Sequence, residues 1–282
     1  MRTIMEPADP DEQSSPRVRF GQELRRSRRA RRWSQVETGR RMGYTGAFIS
    51  YLERAKRAPT REVAVKADEA FETGQKFYEL WRRFTRAALL EGFSEFADAE
   101  ARCRRERVLG LIVIPGLLQT PDYARALAMA AVRRGAISLT EADERVEFLT
   151  ARQTVLDQKA PPLLHAVLEE GCLMRTIGGP KVMVKQLAHL EELAQRPTIT
   201  IQVAPFNMGE NLAFTVPVVL LDQADHSVIG YAESQAKGHV ERSRTTLTTW
   251  ERQYDQLLVE ALPTAASMAR IREARKELQQ WT

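Results

Sequence analysis

Apolar positions recur along this chain at two spacings, and the change from one to the other divides it. Phe20 and Leu24 stand four apart among Arg17, Arg19, Arg25, Arg26, Arg28, Arg29, Arg31 and Arg32. That pattern predicts a helix with a narrow apolar stripe and a basic remainder. Ser34 is placed to cap a second short helix running to about Met42, with Glu37 completing a Ser-x-x-Glu capping box. Gly43 supplies a turn that tolerates positive φ, and Thr45 caps a third helix whose inward face is Phe48, Ile49 and Leu52. Pro59 and Thr60 end the next loop and start a fourth helix over Arg61 to Thr73. Four short helices with a tight glycine turn between the second and third predict a helix-turn-helix, in which the third helix enters the DNA major groove. Phe71, Phe77, Leu80, Trp81 and Phe84, then Leu89, Leu90, Phe93 and Phe96, continue the helical pattern. Residues 76–105 therefore read as a helical bridge whose aromatic face packs as interdomain core.

After residue 105 the pattern alternates in kind. Val108 to Ile114, Leu163 to Leu168 and Thr198 to Val203 predict strands, and Phe214 to Leu221 with Val228 to Glu233 predicts a hairpin across Asp222 to Ser227. Thr120-Pro121-Asp122 opens a helix to about Arg133, with Thr as N-cap and Pro at the first helical position. Helices are expected from Thr140 to about Asp157, from Gly178-Gly179-Pro180 through Arg196, from about His239 to Leu262, and from Thr264 to Trp281. The expected fold class is α+β: an N-terminal all-α helix-turn-helix domain at 17–75, the bridge at 76–105, and a mixed α+β domain with a small sheet at 106–282.

Charge sharpens the first of these domains. The 282 residues carry a net charge of +5, yet residues 17–61 hold 14 Lys or Arg against Glu23, Glu37 and Glu53, which is +11 for that segment. The flanking stretches are each −3. A basic block of this kind suits a disordered tail, a membrane-surface helix or a nucleic-acid module, and the apolar residues at helical spacing favour the last. Composition is that of a globular protein, 43% hydrophobic and 28% charged, which excludes collagen-like, disordered and disulfide-scaffold classes. No apolar run approaches a membrane span, and Met1 to Ser15 lacks a secretory core and holds Glu6, Asp9, Asp11 and Glu12, so a cytoplasmic location is expected. Cys103 and Cys172 are far apart, with no metal-ligand spacing, and read as buried thiols.

Trp33-Ser34-Gln35-Val36-Glu37, Arg41-Met42-Gly43, Ile49-Ser50 and Leu52-Glu53-Arg54 through Pro59-Thr60 together resemble the XRE-type regulators, related to the lambda-repressor-like headpieces of phage. The resemblance covers about residues 17–75. It implies that Gln35 binds a phosphate at the start of the second helix and that Gly46, Ala47 and Tyr51 face base edges. Thr45 and Ser50 are added to the base-facing set, and Arg40, Arg54, Lys56 and Arg57 to the phosphate set. Two departures stand out. Gly39 occupies a place where the family usually has Ala, which weakens the helix by about 1 kcal/mol. In addition, Thr45 to Tyr51 contains no Gln, Asn or Arg, the side chains that read bases bidentately. Direct readout is then expected to be thin, with affinity supplied by phosphate contacts and specificity by dimer spacing and DNA shape.

The stretch from Ile114-Pro115-Gly116-Leu117-Leu118-Gln119 to Ala124, with Gly178-Gly179-Pro180, Arg196-Pro197, Thr200-Ile201-Gln202-Val203 and Pro205-Phe206, resembles the C-terminal domain behind XRE headpieces in actinobacterial, WhiJ-like regulators. That resemblance implies a small protein partner encoded by a neighbouring gene, in pairs described as antitoxin-like and toxin-like. The loop Asn207 to Asn211 has fewer glycines than that family usually shows.

An enzyme reading finds no support in motifs. Gly178-Gly179-Pro180 lacks a Walker lysine, and His165, His189, His226 and His239 are scattered. Glu169-Glu170 and Glu191-Glu192 are adjacent pairs that point to different faces. Ser227 and Ser234 lack a nucleophile-elbow context. No catalytic residue, cofactor or metal is expected. The sequence reads as a sequence-specific transcriptional regulator that binds double-stranded DNA as a homodimer, with no membrane association. Its C-terminal domain would sense a small partner protein or a small-molecule effector. The alternative is an antitoxin-like protein acting mainly by sequestering a small partner.

Overall fold

The computed structural model describes residues 16–57, 59–87, 92–234 and 238–281. The chain divides into two compact units, Met1–Ala88 and Leu89–Thr282.

The first unit is built from helices α1 (Pro16–Ala30), α2 (Gln35–Met42), α3 (Gly46–Glu53), α4 (Arg61–Phe71) and α5 (Lys76–Ala87). Phe20 and Leu24 of the predicted stripe meet Met42, Ile49, Leu52, Val63, Ala67 and Phe71 in its core. The Ser34, Thr45 and Thr60 hydroxyls each accept a backbone N–H three residues on, from Glu37, Phe48 and Val63. The expected capping box at α2 is one-sided. The Glu37 carboxylate turns outward to the guanidinium groups of Arg40 and Arg41, with Arg41 Nε at 2.7 Å, because two cations one turn away outcompete a single amide. The described part of the aromatic stretch expected between domains packs within each unit. Phe77 and Trp81 on α5 are buried with α1 and α4 in the first unit, whereas Phe96 is buried in the second. Leu89 and Leu90 of that stretch lie outside the described residues. Asp68 organises the junction of α4 and α5: buried, it accepts the Thr73 hydroxyl at 2.7 Å and the first backbone amides of α5, Phe77 at 2.9 Å and Tyr78 at 2.8 Å. A carboxylate at that helix start also meets the positive end of its dipole.

The second unit begins with α6 (Phe93–Glu100) and is organised by a six-stranded sheet in the order β3-β2-β1-β4-β5-β6. β1 (Arg105–Gly110), β2 (Leu163–Glu169) and β3 (Ile199–Ala204) run parallel. β4 (Val218–Asp222), β5 (Val228–Glu233) and β6 (Gly238–Glu241) add antiparallel on the other side of β1. Central Val108 is thus flanked by Ala166 and Val219. Helices α7 (Pro121–Arg133), α8 (Leu139–Gln153), α10 (Pro180–Leu193) and α12 (Thr264–Gln279), with the short turn α9 (Gly171–Met174), lie with α6 on one face. α11 (Arg244–Glu260) covers the other through Leu247, Tyr254 and Leu257. Alternate strand residues divide between these layers: Val108, Ala166 and Ile201 face one, Leu109 and Val167 the other. The α+β expectation holds, with a mixed sheet.

Four element boundaries differ clearly from expectation; one is β4, which starts at Val218 and not at Phe214. The first strand is Arg105–Gly110, earlier than the apolar run Val108 to Ile114 suggests, because Glu106 and Arg107 are buried strand residues that hydropathy hides. α8 starts at Leu139, capped by Ser138 with Glu141 in a reciprocal box, not by Thr140. Gly238–Glu241 is an edge strand where a helix was expected from His239; α11 starts only at Arg244. Val240 packs inward between polar His239 and Glu241, but an alternation of four residues is too short to announce a strand.

Candidate nucleic-acid interface

The α2–turn–α3 pair is set by backbone approach. Gly43 ends α2 in the left-handed region, with φ at 75°. Gly39 lies against the turn itself: a Cβ there would stand 2.6 Å from the carbonyl oxygen of Tyr44 and 2.8 Å from the carbonyl carbon of Thr45. Helix propensity counts Gly39 as a loss, but the turn has no room for a methyl group at this position. Gly46, at the start of α3, faces Val36 of α2, where a Cβ would meet the Val36 side chain at 2.9 Å. Ile49 and Leu52 then turn inward, and the opposite face of α3 is at the surface.

Of the residues predicted to face bases, Thr45, Ala47 and Tyr51 are exposed, and Gly46 and Ser50 are half-buried. Arg54, Lys56 and Arg57 follow α3 directly and are also exposed. The Arg54 guanidinium donates to the Ser50 carbonyl at 3.2 Å and lies 5.5 Å from the centre of the Tyr51 ring. Arg57 stacks 4.8 Å over Phe48. These contacts orient both cations beside the exposed face of α3. Arg40 is exposed on α2, and its hydrogen bonds, with those of Arg41, hold the Glu37 carboxylate below the usual range. Arg41 also lies 4.3 Å over Trp33, whose ring stacks on Phe71 at 5.2 Å.

Gln35 is half-buried, and its amide Nε2 donates to Glu53 Oε2 at 2.9 Å. Glu53 is the residue that sequence reasoning left without a role. It closes α3, receives the Arg28 guanidinium of α1, and fixes the Gln35 side chain at the start of α2. Its signal was available in principle, since it is one of three acids in a segment of 14 cations.

Elsewhere, two of the histidines make local polar contacts. His165 on β2 meets Gln202 Oε1 at 2.7 Å, burial lowering its basicity, and His239 approaches Glu241 at 3.6 Å. Cys103 and Cys172 are buried free thiols, and burial raises that of Cys172 to about 12. Among the described residues, no group of three or more His, Cys, Asp or Glu side chains is gathered to hold a metal ion, and no helix is long and apolar enough to cross a membrane. The Ile114-to-Thr120 stretch before α7 is a loop tied by glutamines. Gln186 of α10 accepts the Thr120 amide and donates to the Leu118 carbonyl, both at 2.7 Å, and Gln153 of α8 donates to Gly116 and Gln119 carbonyls.

A capped helix, a left-handed glycine turn and an exposed following helix edged with arginines define a helix-turn-helix DNA-binding regulator. Residues 19–76 match the family model described as "Helix-turn-helix domain". Residues 93–273 match the model described as "Domain of unknown function (DUF5753)", and the chain belongs to that family. No curated protein and no solved structure matches it.

Proposed function

We propose that the protein is a sequence-specific, XRE-type transcriptional regulator that binds double-stranded DNA as a homodimer, with α3 of each copy in a major groove and half-sites about one helical turn apart. The observation that carries this reading is the exposed face of α3, bearing Thr45, Ala47 and Tyr51 and continued by Arg54, Lys56 and Arg57. In this reading Gln35 and Arg40 approach phosphates at the start and end of α2, and Gln35 reaches one with the amide hydrogen not given to Glu53. Ser50 and Gly46 border the bases rather than project into them. The second unit carries the effector function: a small molecule or a small protein bound there alters dimer geometry or DNA affinity.

A gel-shift titration on the DNA upstream of its own gene, between 50 and 300 mM salt, tests the reading (roughly the range over which phosphate-dominated binding changes most). Binding that weakens steeply with salt is expected; absence of binding at every salt concentration would overturn it.

An antitoxin-like reading, in which the chain mainly sequesters a small partner protein, draws on one observation. The exposed surface of the α2–α3 pair is partly apolar, with Val36 71% and Tyr51 47% exposed. Reversing Arg54 and Arg57 to Glu separates the two, since regulation in cells that survives loss of DNA binding favours sequestration.

A further inference from the structure

The second unit encloses a cavity of about 330 Å³, within the size range of small-ligand sites. Strand β1 forms its floor, α6 and α8 its sides, and the glutamine-tied loop after β1 another wall. Aromatic faces dominate it: Phe96 stacks on Tyr231 at 4.1 Å, and Phe93 meets Phe148 edge-on at 6.1 Å.

Carboxyl groups outnumber basic side chains in this apolar setting. Glu100 of α6 is 1% exposed and is gripped by Arg152 of α8, whose Nε and Nη2 donate to it at 2.7 and 2.6 Å. Arg152 is therefore committed, and its guanidinium also stacks 4.8 Å over Phe93. Glu233 accepts the Tyr231 hydroxyl at 2.7 Å. Arg145, half-buried on α8, is the other cation of the lining. Glu106 of β1 stands among these groups. It is 2% exposed, it lines the cavity, and its Oε2 has no hydrogen-bond partner among the described residues. A buried carboxylate oxygen without a donor is costly and uncommon in a native fold. Burial and the Glu100 charge push this carboxyl well above the usual range, with Arg152 opposing in part.

We propose that this cavity binds a small organic cation, a protonated amine or amidine on a compact aromatic or aliphatic body, whose N–H donates to Glu106 Oε2. Its body lies against Phe93, Phe148 and Tyr231, whose ring faces attract positive charge. A cation draws the Glu106 carboxyl into its ionised form, the proton passing to solvent, whereas an anion leaves it protonated and meets the Glu100 and Glu233 carboxylates. A neutral donor satisfies Oε2 without that charge pairing. The site deepens the reading of the second unit as an effector domain, and it rests on that reading only for what the ligand does to DNA binding.

The test uses the full chain, with 2-phenylethylamine and benzamidine as cationic probes and 2-phenylethanol and 3-phenylpropanoate as neutral and anionic counterparts. Calorimetric titration at pH 7 should show saturable binding of a cationic probe at least about tenfold tighter than that of the alcohol, the margin of a charge-assisted hydrogen bond, with the carboxylate weakest. In Glu106→Gln the margin over the alcohol should fall to about threefold or less, and Leu149→Trp, which fills the cavity from α8, should abolish binding. Equal binding of all probes, tighter binding of the anion, no saturable binding of either cation, or unchanged binding to Leu149→Trp would each overturn the site. The probe series on the unmodified protein decides the matter even if a variant fails to fold. A gel shift run in parallel keeps the two readings apart: cation binding that leaves DNA affinity unchanged removes the effector role and keeps the site, whereas intact DNA binding without cation binding removes the site alone.

Discussion

Glu53, the last residue of α3, is held by Arg28 of α1 through paired hydrogen bonds, Nη2 to Oε2 at 3.0 Å and Nε to Oε1, with both side chains largely buried. The pair anchors α3 to α1 and at the same time positions Gln35. Removing one member leaves the other charge buried without its partner, a loss of about 3 kcal/mol. Glu53→Ala should therefore destabilise the first unit by that amount in urea unfolding followed by Trp33 and Trp81 fluorescence. Replacing both members by methionine should recover much of it. A loss below about 1 kcal/mol in the single variant would reduce the pair to a surface-type contact.

Gly39→Ala pits propensity against space. An isolated helix would gain about 1 kcal/mol from the change, but the added methyl stands 2.6 Å from the Tyr44 carbonyl oxygen, which is backbone and cannot swing aside. Overpacking of this kind costs about 1 to 3 kcal/mol, so the variant should be less stable, and DNA binding should weaken as the α2–α3 angle opens. A more stable variant with unchanged binding would show that the turn yields freely.

Much of the fold was legible because it rests on local signals. The Ser34, Thr45, Thr60 and Thr120 caps all form as the residues dictate. What escaped depends on distant partners. Glu106 and Arg107 look like surface charges, yet they are buried on β1, Arg107 because Asp222 and Glu251 meet it at 2.7 and 2.9 Å. The edge strand Gly238–Glu241 exists because β5 offers it hydrogen bonds, not because of its own pattern. At the candidate interface, the inward turn of Ile49 and Leu52 followed from helical periodicity, whereas the Arg28–Glu53–Gln35 cluster joins positions as far as 25 residues apart and left no periodic trace.

The arginines after α3 are open to a direct electrostatic test. If Arg54 and Arg57 each neutralise one phosphate, Arg54→Ala and Arg57→Ala should each reduce the slope of log affinity against log salt by about 1. The pair together should reduce it by about 2, with affinity falling alike on specific and unrelated duplexes. Ala47→Arg, by contrast, should change sequence preference, since it places a bidentate donor on a face that has none. Salt slopes that do not change on removing both arginines would move the phosphate contacts elsewhere on the basic segment.

Glu106 makes the stability of the second unit depend on pH in a predictable direction. Its carboxyl is raised in the folded state by burial and by Glu100 of α6, with Arg152 of α8 opposing. Glu233 on β5 acts on that same guanidinium. An acid whose folded pKa exceeds its unfolded value, about 4.3 for glutamate, binds its proton more tightly when folded. Its favourable contribution is therefore complete below about pH 4.3 and is lost as pH rises through the folded value. Glutamine keeps the shape and the neutral state at every pH. Wild type and Glu106→Gln should then melt at similar temperatures near pH 4, and above it Glu106→Gln should become progressively the more stable, until the folded carboxyl has ionised. Apart from Glu100 and Arg152, whose charges couple to Glu106, the titrating groups are common to the two proteins and cancel in the difference. Melting curves that stay parallel from pH 4 to pH 8 would mean that Glu106 ionises as freely in the fold as outside it, and that its bare oxygen reaches water.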